Sequence, residues 1–430
     1  MMTTSPKPDN NNYHGWSGIK RAFATQSALT LLLLGFGSGL PFLLVGGTLS
    51  TWLRDTGVTL SAIGLVSYAS FFYVLKFLWA PLVDRYPLPL LGRRKGWLAF
   101  SQIVLIAALI SMALLGPSSS LTSFVVLAGL VALAGATQDI VVDAYRIEIA
   151  PAESQAALAA AYILGYRIAL ILSGAVTLYL AELVGWSAAY LTMAGCMSVP
   201  LMAALVAKEP DPSATLSIRE IRLRDAFLKP FAEFFTRNGV LLGLGLLAFV
   251  GLFKLPDQMI GVLAGPFYLD SGYTKADIAT VSKLYGVWIG VAGAFLGGTC
   301  VAAFSINKML VVATIAVAVS NLSFLLMAFH PAETWAFFVA ISADNLSQGF
   351  AGVVLVAFMS GLTNRHFTAT QYALLASLAN LPGKFIGGVS GYIVEATNYQ
   401  TFFIVSTFSV VPTLVLLAWL WNKTQDKQAP

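Results

Sequence analysis

LPFLLVGGTLSTWLRDTGVTLSAIGLVS, running from Leu40 to Ser67, returns 215 residues later as LPDQMIGVLAGPFYLDSGYTKADIATVS, from Leu255 to Ser282, in a chain of 430. Aligned without gaps, the two share Leu40/Leu255, Pro41/Pro256, Gly46/Gly261, Asp55/Asp270, Gly57/Gly272, Thr59/Thr274, Ile63/Ile278, Val66/Val281 and Ser67/Ser282. Nine matches in 28 positions exceed the roughly two expected from ordinary composition. Each copy reads as an apolar helix with a Pro inside it, a short Asp-Thr/Ser-Gly-x-Thr turn, and the start of a second apolar helix. Two copies in the same direction at half the chain length imply a duplication, the parallel-repeat plan of one large transporter class.

Composition sets the solvent of the fold. With 57% hydrophobic residues, 10% charged and a mean hydropathy of +0.78, the chain is too apolar for a water-soluble globule. It reads as an all-α integral membrane protein. Twelve apolar segments fall at roughly 27–53, 61–83, 97–115, 122–146, 157–183, 187–207, 240–268, 276–301, 309–329, 334–362, 370–394 and 400–421, each long enough to cross about 30 Å of hydrocarbon as a helix. The first is too long for a signal-peptide core and is expected to remain. The expected organisation is a polar leader (1–26), a six-helix bundle (27–207), a linker with an amphipathic helix (208–239), a second six-helix bundle (240–421) and a tail (422–430).

Charge gives the orientation. Of 25 Lys and Arg, 18 fall in segments assigned to the cytoplasm, Arg54 and Lys275 lie in outer loops, and five are intramembrane. This bias predicts cytoplasmic termini and a cytoplasmic linker, and it accounts for the net charge of +5 without a nucleic-acid partner. The two cysteines and three scattered histidines make no metal or disulfide pattern. No Gly-x-x-x-x-Gly-Lys-Ser/Thr loop is present, so no nucleotide or other cofactor is expected.

Segments 3, 6, 9 and 12 carry no charge and are expected to face lipid; a charge inside the bilayer costs at least ~2.5 kcal/mol unless it meets protein or water. The intramembrane charges are Lys76, Asp139, Asp143, Arg167, Lys254, Asp257, Lys283, Asp344 and Lys384. A rise of about 1.5 Å per residue puts Lys76 and Asp139 at similar depths, able to pair. Arg167, Lys254, Asp344 and Lys384 fall nearer the midplane, where charges of both halves are expected to converge. Buried carboxylates can carry a proton, which makes Asp139 the first candidate for coupling and Asp344 the second. Five cations against four anions favour an anionic ligand, with Arg167, Lys254 and Lys384 as its readers, and count against a cationic drug.

Between segments 2 and 3, Trp79-Ala80-Pro81-Leu82-Val83-Asp84-Arg85 leads, after an insertion, to Gly92-Arg93-Arg94-Lys95-Gly96. It resembles the signature loop of the major facilitator superfamily, widened by five residues. The widened loop is similar to that of bacterial muropeptide permeases of the AmpG type. The likeness continues at Gln138-Asp139-Ile140-Val141-Val142-Asp143-Ala144, Leu164-Gly165-Tyr166-Arg167, Lys254-Leu255-x-Asp257 and Thr368-Ala369-Thr370-Gln371-Tyr372-Ala373-Leu374-Leu375. The resemblance implies proton-driven import of anhydromuramyl peptides, sugar-linked wall fragments, across the bacterial inner membrane by a single chain. On this reading Gln138, Tyr166, Arg167, Lys254, Asp257 and Lys384 bind substrate. Lys76, Asp84, Arg85, Arg93, Arg94, Asp143 and Lys283 form gating ion pairs. Carriers of other anionic solutes or of drugs, and a membrane-embedded transferase, are the alternatives.

The orientation is open to a direct measurement. In intact cells an impermeant thiol reagent should label a cysteine placed at Ser119 and leave one at Ser213 untouched; the reverse pattern inverts the topology and removes the basis for import.

Overall fold

The computed structural model describes residues 25–86, 88, 91–149, 155–210, 232–362 and 368–426. The leader up to residue 24, the linker helix expected within 211–231, and the end of the tail lie outside the described residues. So do the side chains of Asp84, Arg85 and Gln371–Leu374. In chain order the helices of the first half are α1 (Gln26–Asp55), α2 (Leu60–Leu75), α3 (Arg93–Ser119), α4 (Leu121–Glu148), α5 and α6 (Trp186–Val206). Helix α5 runs over Gln155–Ile171, passes through a π-helical turn at Leu172–Val176 and continues over Thr177–Val184. The second half has α7 (Val240–Asp270), α8 (Lys275–Val301), α9 (Ile306–Phe329), α10 (Thr334–Leu362), α11 (Thr368–Ala396) and α12 (Tyr399–Trp421). Ten of these are long and apolar enough to cross a membrane. The shorter apolar α2 and the 29-residue α11 stand at the other two expected positions.

The duplicated stretch explains itself locally. Gly57 and Gly272 both adopt positive φ, 83° and 88°, a conformation open to glycine at little cost. Thr59 and Thr274 then cap the next helix, accepting from the N–H groups of Ala62 and Asp277 at 3.4 and 3.1 Å. Helix α7 breaks at Lys254, and Pro256 occupies the first turn of the segment that follows, as expected of a residue without an N–H. In α1, Pro41 sits inside a continuous stretch, Gln26–Leu44, as the repeat predicts, and the break falls at Gly46, before the helix resumes at Gly47. Consecutive glycines leave the helical conformation more easily than the chain bends at this Pro.

Packing repeats along with the sequence. Helix α1 packs on α5 as α7 packs on α11, α3 on α4 as α9 on α10, and α3 on α6 as α9 on α12. Among the described residues the halves meet mainly along three seams, α1 with α7, α2 with α11, and α5 with α8, and α2 also touches α7. The charge-free helices take no part in these seams and display apolar side chains outward, among them Phe100, Ile103 and Leu114 of α3 and Val312, Ile315 and Val319 of α9.

The two ends of the molecule differ. Where α1 and α7 finish, one buried cluster draws on both halves, joining Leu49 and Trp52 to Leu263 and Phe267. At the opposite end each half keeps its own, with Leu31, Val141 and Tyr145 in the first and Phe249, Leu310 and Val354 in the second. The halves are closed together at the Asp55/Asp270 end and packed separately at the other.

The separated end of the first half is held by charge. Arg94, 2% exposed, gives Glu148 two hydrogen bonds, Nη2 to Oε1 at 2.6 Å and Nε to Oε2 at 3.0 Å, and Arg93 adds a third at 2.8 Å. Glu209 accepts from the backbone N–H groups of Arg94 and Lys95 at 2.7 and 3.1 Å, satisfying the free donors and dipole at the start of α3. Arg93 and Arg94, expected as gating residues, thus tie α3 to α4 and to the end of α6 within one half. Burial pushes the Glu148 carboxyl up, but the Arg94 hydrogen bonds and charge outweigh it and hold it below the ordinary value of 4.5. A lowered folded-state value stabilises the fold above pH about 4.5 and stops doing so as pH falls through that lower value.

Glu148→Gln leaves Arg94 buried against a neutral amide and should cost about 3 kcal/mol at pH 7. Thermal unfolding in detergent should show a lowered midpoint for the variant, and the gap to the parent should narrow as the pH falls below about 4.5.

Candidate functional site

Two polar clusters lie inside the helical layers, one in each half. In the first, Lys76 at the end of α2 reaches Asp139 at 3.7 Å and Asp143 at 3.8 Å, two carboxylates one turn apart on α4. The pairing expected from depth is present. The contacts are long for charge-assisted hydrogen bonds, so Lys76 is shared between the two acids. The Oδ1 atom of Asp139 is buried and, among the described residues, has no hydrogen-bond partner, nor have the Gln138 amide, Ser38 Oγ and Tyr73 OH. Around them stand aromatic rings from three helices: Phe42 of α1 against Tyr73 of α2 at 5.7 Å and Tyr166 of α5 at 6.5 Å, and Tyr162 against Tyr166 at 6.3 Å. The guanidinium of Arg146 lies 6.0 Å from the Tyr162 ring.

The second cluster collects Lys254 and Asp257 at the break of α7, Lys283 of α8 and Asp344 of α10. Asp344 is 8% exposed and accepts from Gln348 Nε2 at 2.8 Å. The buried Oδ1 atom of Asp257 has no hydrogen-bond partner among the described residues, while its neighbour Gln258 donates to Asn380 at 2.8 Å and so links α7 to α11.

Of the expected ligand readers, Gln138 and Tyr166 join Asp139, and Lys254 joins Asp257. Arg167 stands apart: it is exposed, beside Ile163, Leu164 and Ile168 on one face of α5. Among the described residues it has no ion-pair partner. Lys384 likewise has no ion-pair partner among the described residues.

A third group escaped the sequence reading. At the closed end Asp55 accepts from Trp186 Nε1 of its own half at 2.6 Å and pairs with Lys275 of the other half at 3.0 Å. Asp270 accepts from Tyr399 of its own half at 2.7 Å and pairs with Arg54 of the other half, also at 2.7 Å. Lys275 further reaches Glu182 at 3.6 Å. Each repeated Asp is held by one aromatic donor at home and one cation from across the seam. The signal was present in the sequence: the aspartates are repeat positions, and the two outer cations sit beside them. The same end is tied by the Glu395 carboxylate on the Ser61 N–H at 2.9 Å, by Tyr68 donating to Phe385 O at 3.1 Å, and by Tyr179 with Thr280.

Two repeated six-helix halves, closed at one end around charged interior clusters, find a match among known proteins. Residues 31–387 correspond to the Major Facilitator Superfamily. The chain belongs to the Major Facilitator Superfamily. It is 35% identical over 399 residues to the anhydromuropeptide permease of Escherichia coli (strain K12), covering 92% of this chain and 80% of that one. It is 32% identical over 416 residues to the putative transporter AmpG 4 of Rickettsia felis, covering 94% and 99%. Among solved structures it shares the fold of the nucleoside transporter NupG (TM-score 0.69, 15% identity, 92% of this chain and 99% of that one). It also shares that of a D-xylose-proton symporter (TM-score 0.66, 14% identity, 93% and 97%). As a member of this superfamily the protein is a secondary transporter, and the membrane-embedded transferase is set aside.

The crossed pairs predict a charge-swap result. With Cys196 and Cys300 replaced by serine, a cysteine at Thr51, fully buried on α1 at the seam with α7, should react slowly with maleimide. Arg54→Asp should speed the reaction by about fivefold or more, and adding Asp270→Arg should slow it again. Equal rates in all three would mean that the pair does not hold this end shut.

Proposed function

We propose that the protein imports anhydromuramyl peptides from the periplasm into the cytoplasm, driven by protons, with the Asp55/Asp270 end facing outward. The positive-charge bias of the loops supports this orientation, and on it the halves are joined at the periplasmic end and packed separately at the cytoplasmic end. The reading is carried by one observation: the 35% identity to the anhydromuropeptide permease extends over 92% of the chain. The aromatic rings around Asp139 suit such a ligand. Phe42, Tyr73, Tyr162 and Tyr166 offer faces to sugar rings, while the unpartnered Gln138 amide, Ser38 hydroxyl and Tyr73 hydroxyl offer donors and acceptors for hydroxyl and amide groups.

Wall peptides carry carboxylates. Lys254 and Lys384 contribute the positive field that reads them, and Arg167, exposed on α5, meets an anionic ligand only where its face borders the path between the halves. Asp139 is the proton carrier, because its charge is balanced by a cation already shared with Asp143. Adding a proton to Asp139 releases Lys76 wholly to Asp143, and loss of the proton restores the three-way contact, so proton occupancy changes how α2 is held against α4. Asp344 is the second carrier.

Proteoliposomes loaded with the purified protein separate these roles. Asp139→Asn keeps size and hydrogen bonding but cannot carry a proton. It should abolish uphill accumulation of a labelled wall fragment under a proton gradient while leaving downhill exchange within about tenfold of the parent. Accumulation at the parental level removes Asp139 from coupling, and a fragment that neither accumulates nor exchanges in the parent removes the substrate assignment.

A further inference from the structure

Lys283 occupies a place that neither binding nor ordinary pairing explains. It belongs to α8, yet its side chain crosses the seam into the other half. Its Cβ and Cγ lie 3.5 Å from where a side chain would begin at Gly174 of α5, and its amine lies 3.5 Å from the corresponding point at Gly47 of α1. Both glycines belong to the first half, and together they form a slot that the lysine fills. Among the described residues no carboxylate forms an ion pair with its amine. The turn that carries it is joined to α10 of its own half, where the Tyr285 and Ser342 hydroxyls meet at 2.9 Å, two residues before Asp344.

The backbone on both sides of the slot is irregular. Lys283 lies in a π-helical turn, Ile278–Tyr285, and Gly174 in another, Leu172–Val176. The two turns face each other across the α5/α8 seam. Such turns carry a wider, less regular hydrogen-bond ladder and mark functional positions in helices. The wall of the slot is fixed by Thr48, whose hydroxyl donates to Ser173 O at 2.8 Å from the neighbouring helix. Lys283 is half-buried, and an interior cation without an anion is costly; its four-carbon stem is long enough to carry the amine from the slot toward Asp344.

We propose that Lys283 is the positioning residue that couples the charge on Asp344 to closure of the Asp55/Asp270 end: seated between Gly47 and Gly174 it fits the closed state, and paired with ionised Asp344 it leaves the slot and favours the open one. Neutralising Asp344 removes the pull and lets the lysine return. This deepens the proposed function, since it gives the second carboxylate a mechanical output, and it rests on that reading only for the identity of the proton as the neutralising ligand.

The test reads conformation and needs neither substrate nor gradient. Spin labels at Ser119 and Glu333, exposed on opposite halves at the closed end, report its opening in a background where Cys196 and Cys300 are serine and Lys275→Gln weakens the outer pairs enough to populate both states. Lys283→Met and Asp344→Asn should each raise the ratio of short to long distances by on the order of tenfold, and the double variant should go no further than the larger single. Lys283→Arg should move the ratio the other way, because its charge is kept while its wider head does not fit the slot. Effects of Met and Asn that multiply in the double variant, an unchanged ratio, or an Arg variant that shifts with Met would each overturn the proposal. Because uptake of wall fragments is measured separately, its failure leaves this result standing, and a failure here leaves the substrate assignment untouched.

Discussion

The exchange of cations across the seam, Arg54 to Asp270 and Lys275 to Asp55, is the constraint from which the closed end follows. A carboxylate at the end of α1 was copied, by duplication, to the end of α7. Two like charges brought to one interface repel unless each meets a cation, and the cations come from the opposite copy in both cases. The aromatic donors Trp186 and Tyr399 then fix each carboxylate in its own half. Closing the interface thereby satisfies four charges at once, and opening it exposes four to water, where they are solvated at little cost. An interface of this kind can be both specific and reversible, as an apolar seam of the same area could not.

Inside, the halves have diverged while the scaffold has not. The first half keeps a shared cation between two acids beneath a set of aromatic rings; the second buries Asp344 on α10 and sends Lys283 across the seam. Neither cluster has a counterpart at the repeat-equivalent position of the other. The duplication supplied matching helices, turns and caps, and separate substitution gave one half a surface for rings and the other a set of buried charges.

Much of this was legible in the sequence. The repeat gave two equivalent halves, because Gly57, Thr59 and their copies serve backbone conformations and caps that any such turn requires. The charge-free helices were readable as peripheral because burying a charge in lipid is expensive. The Lys76/Asp139 pair followed from helical rise alone. What could not be read was direction around a helix: Arg167 and Tyr166 are adjacent in the chain, and 100° of rotation puts one on the exposed face and the other beside Asp139. The break of α1 at Gly46, the clamp of Arg94 on Glu148, and the crossing of Lys283 into the other half depend on which helices become neighbours, which local periodicity does not encode.

Glycine contacts also decide where the molecule yields. Gly35, Gly39 and Gly165 bring α1 and α5 so close that an added methyl at any of them would collide with backbone of the facing helix, and Gly293, Gly297 and Gly349 do the same for α8 and α10. Each pair is in effect a laminate, stiff because its two plies touch along their backbones. The α5/α8 seam is where one laminate meets the other, while Gly64 and Gly391 bring α2 and α11 just as close across the halves, so the halves move against each other as units and do not bend within themselves. Were one ply to loosen from its mate, the halves would still close and still hold a ligand, but movement at one end would no longer be transmitted whole to the other: the machine would slip, as a worn clutch does, while each of its parts remained sound.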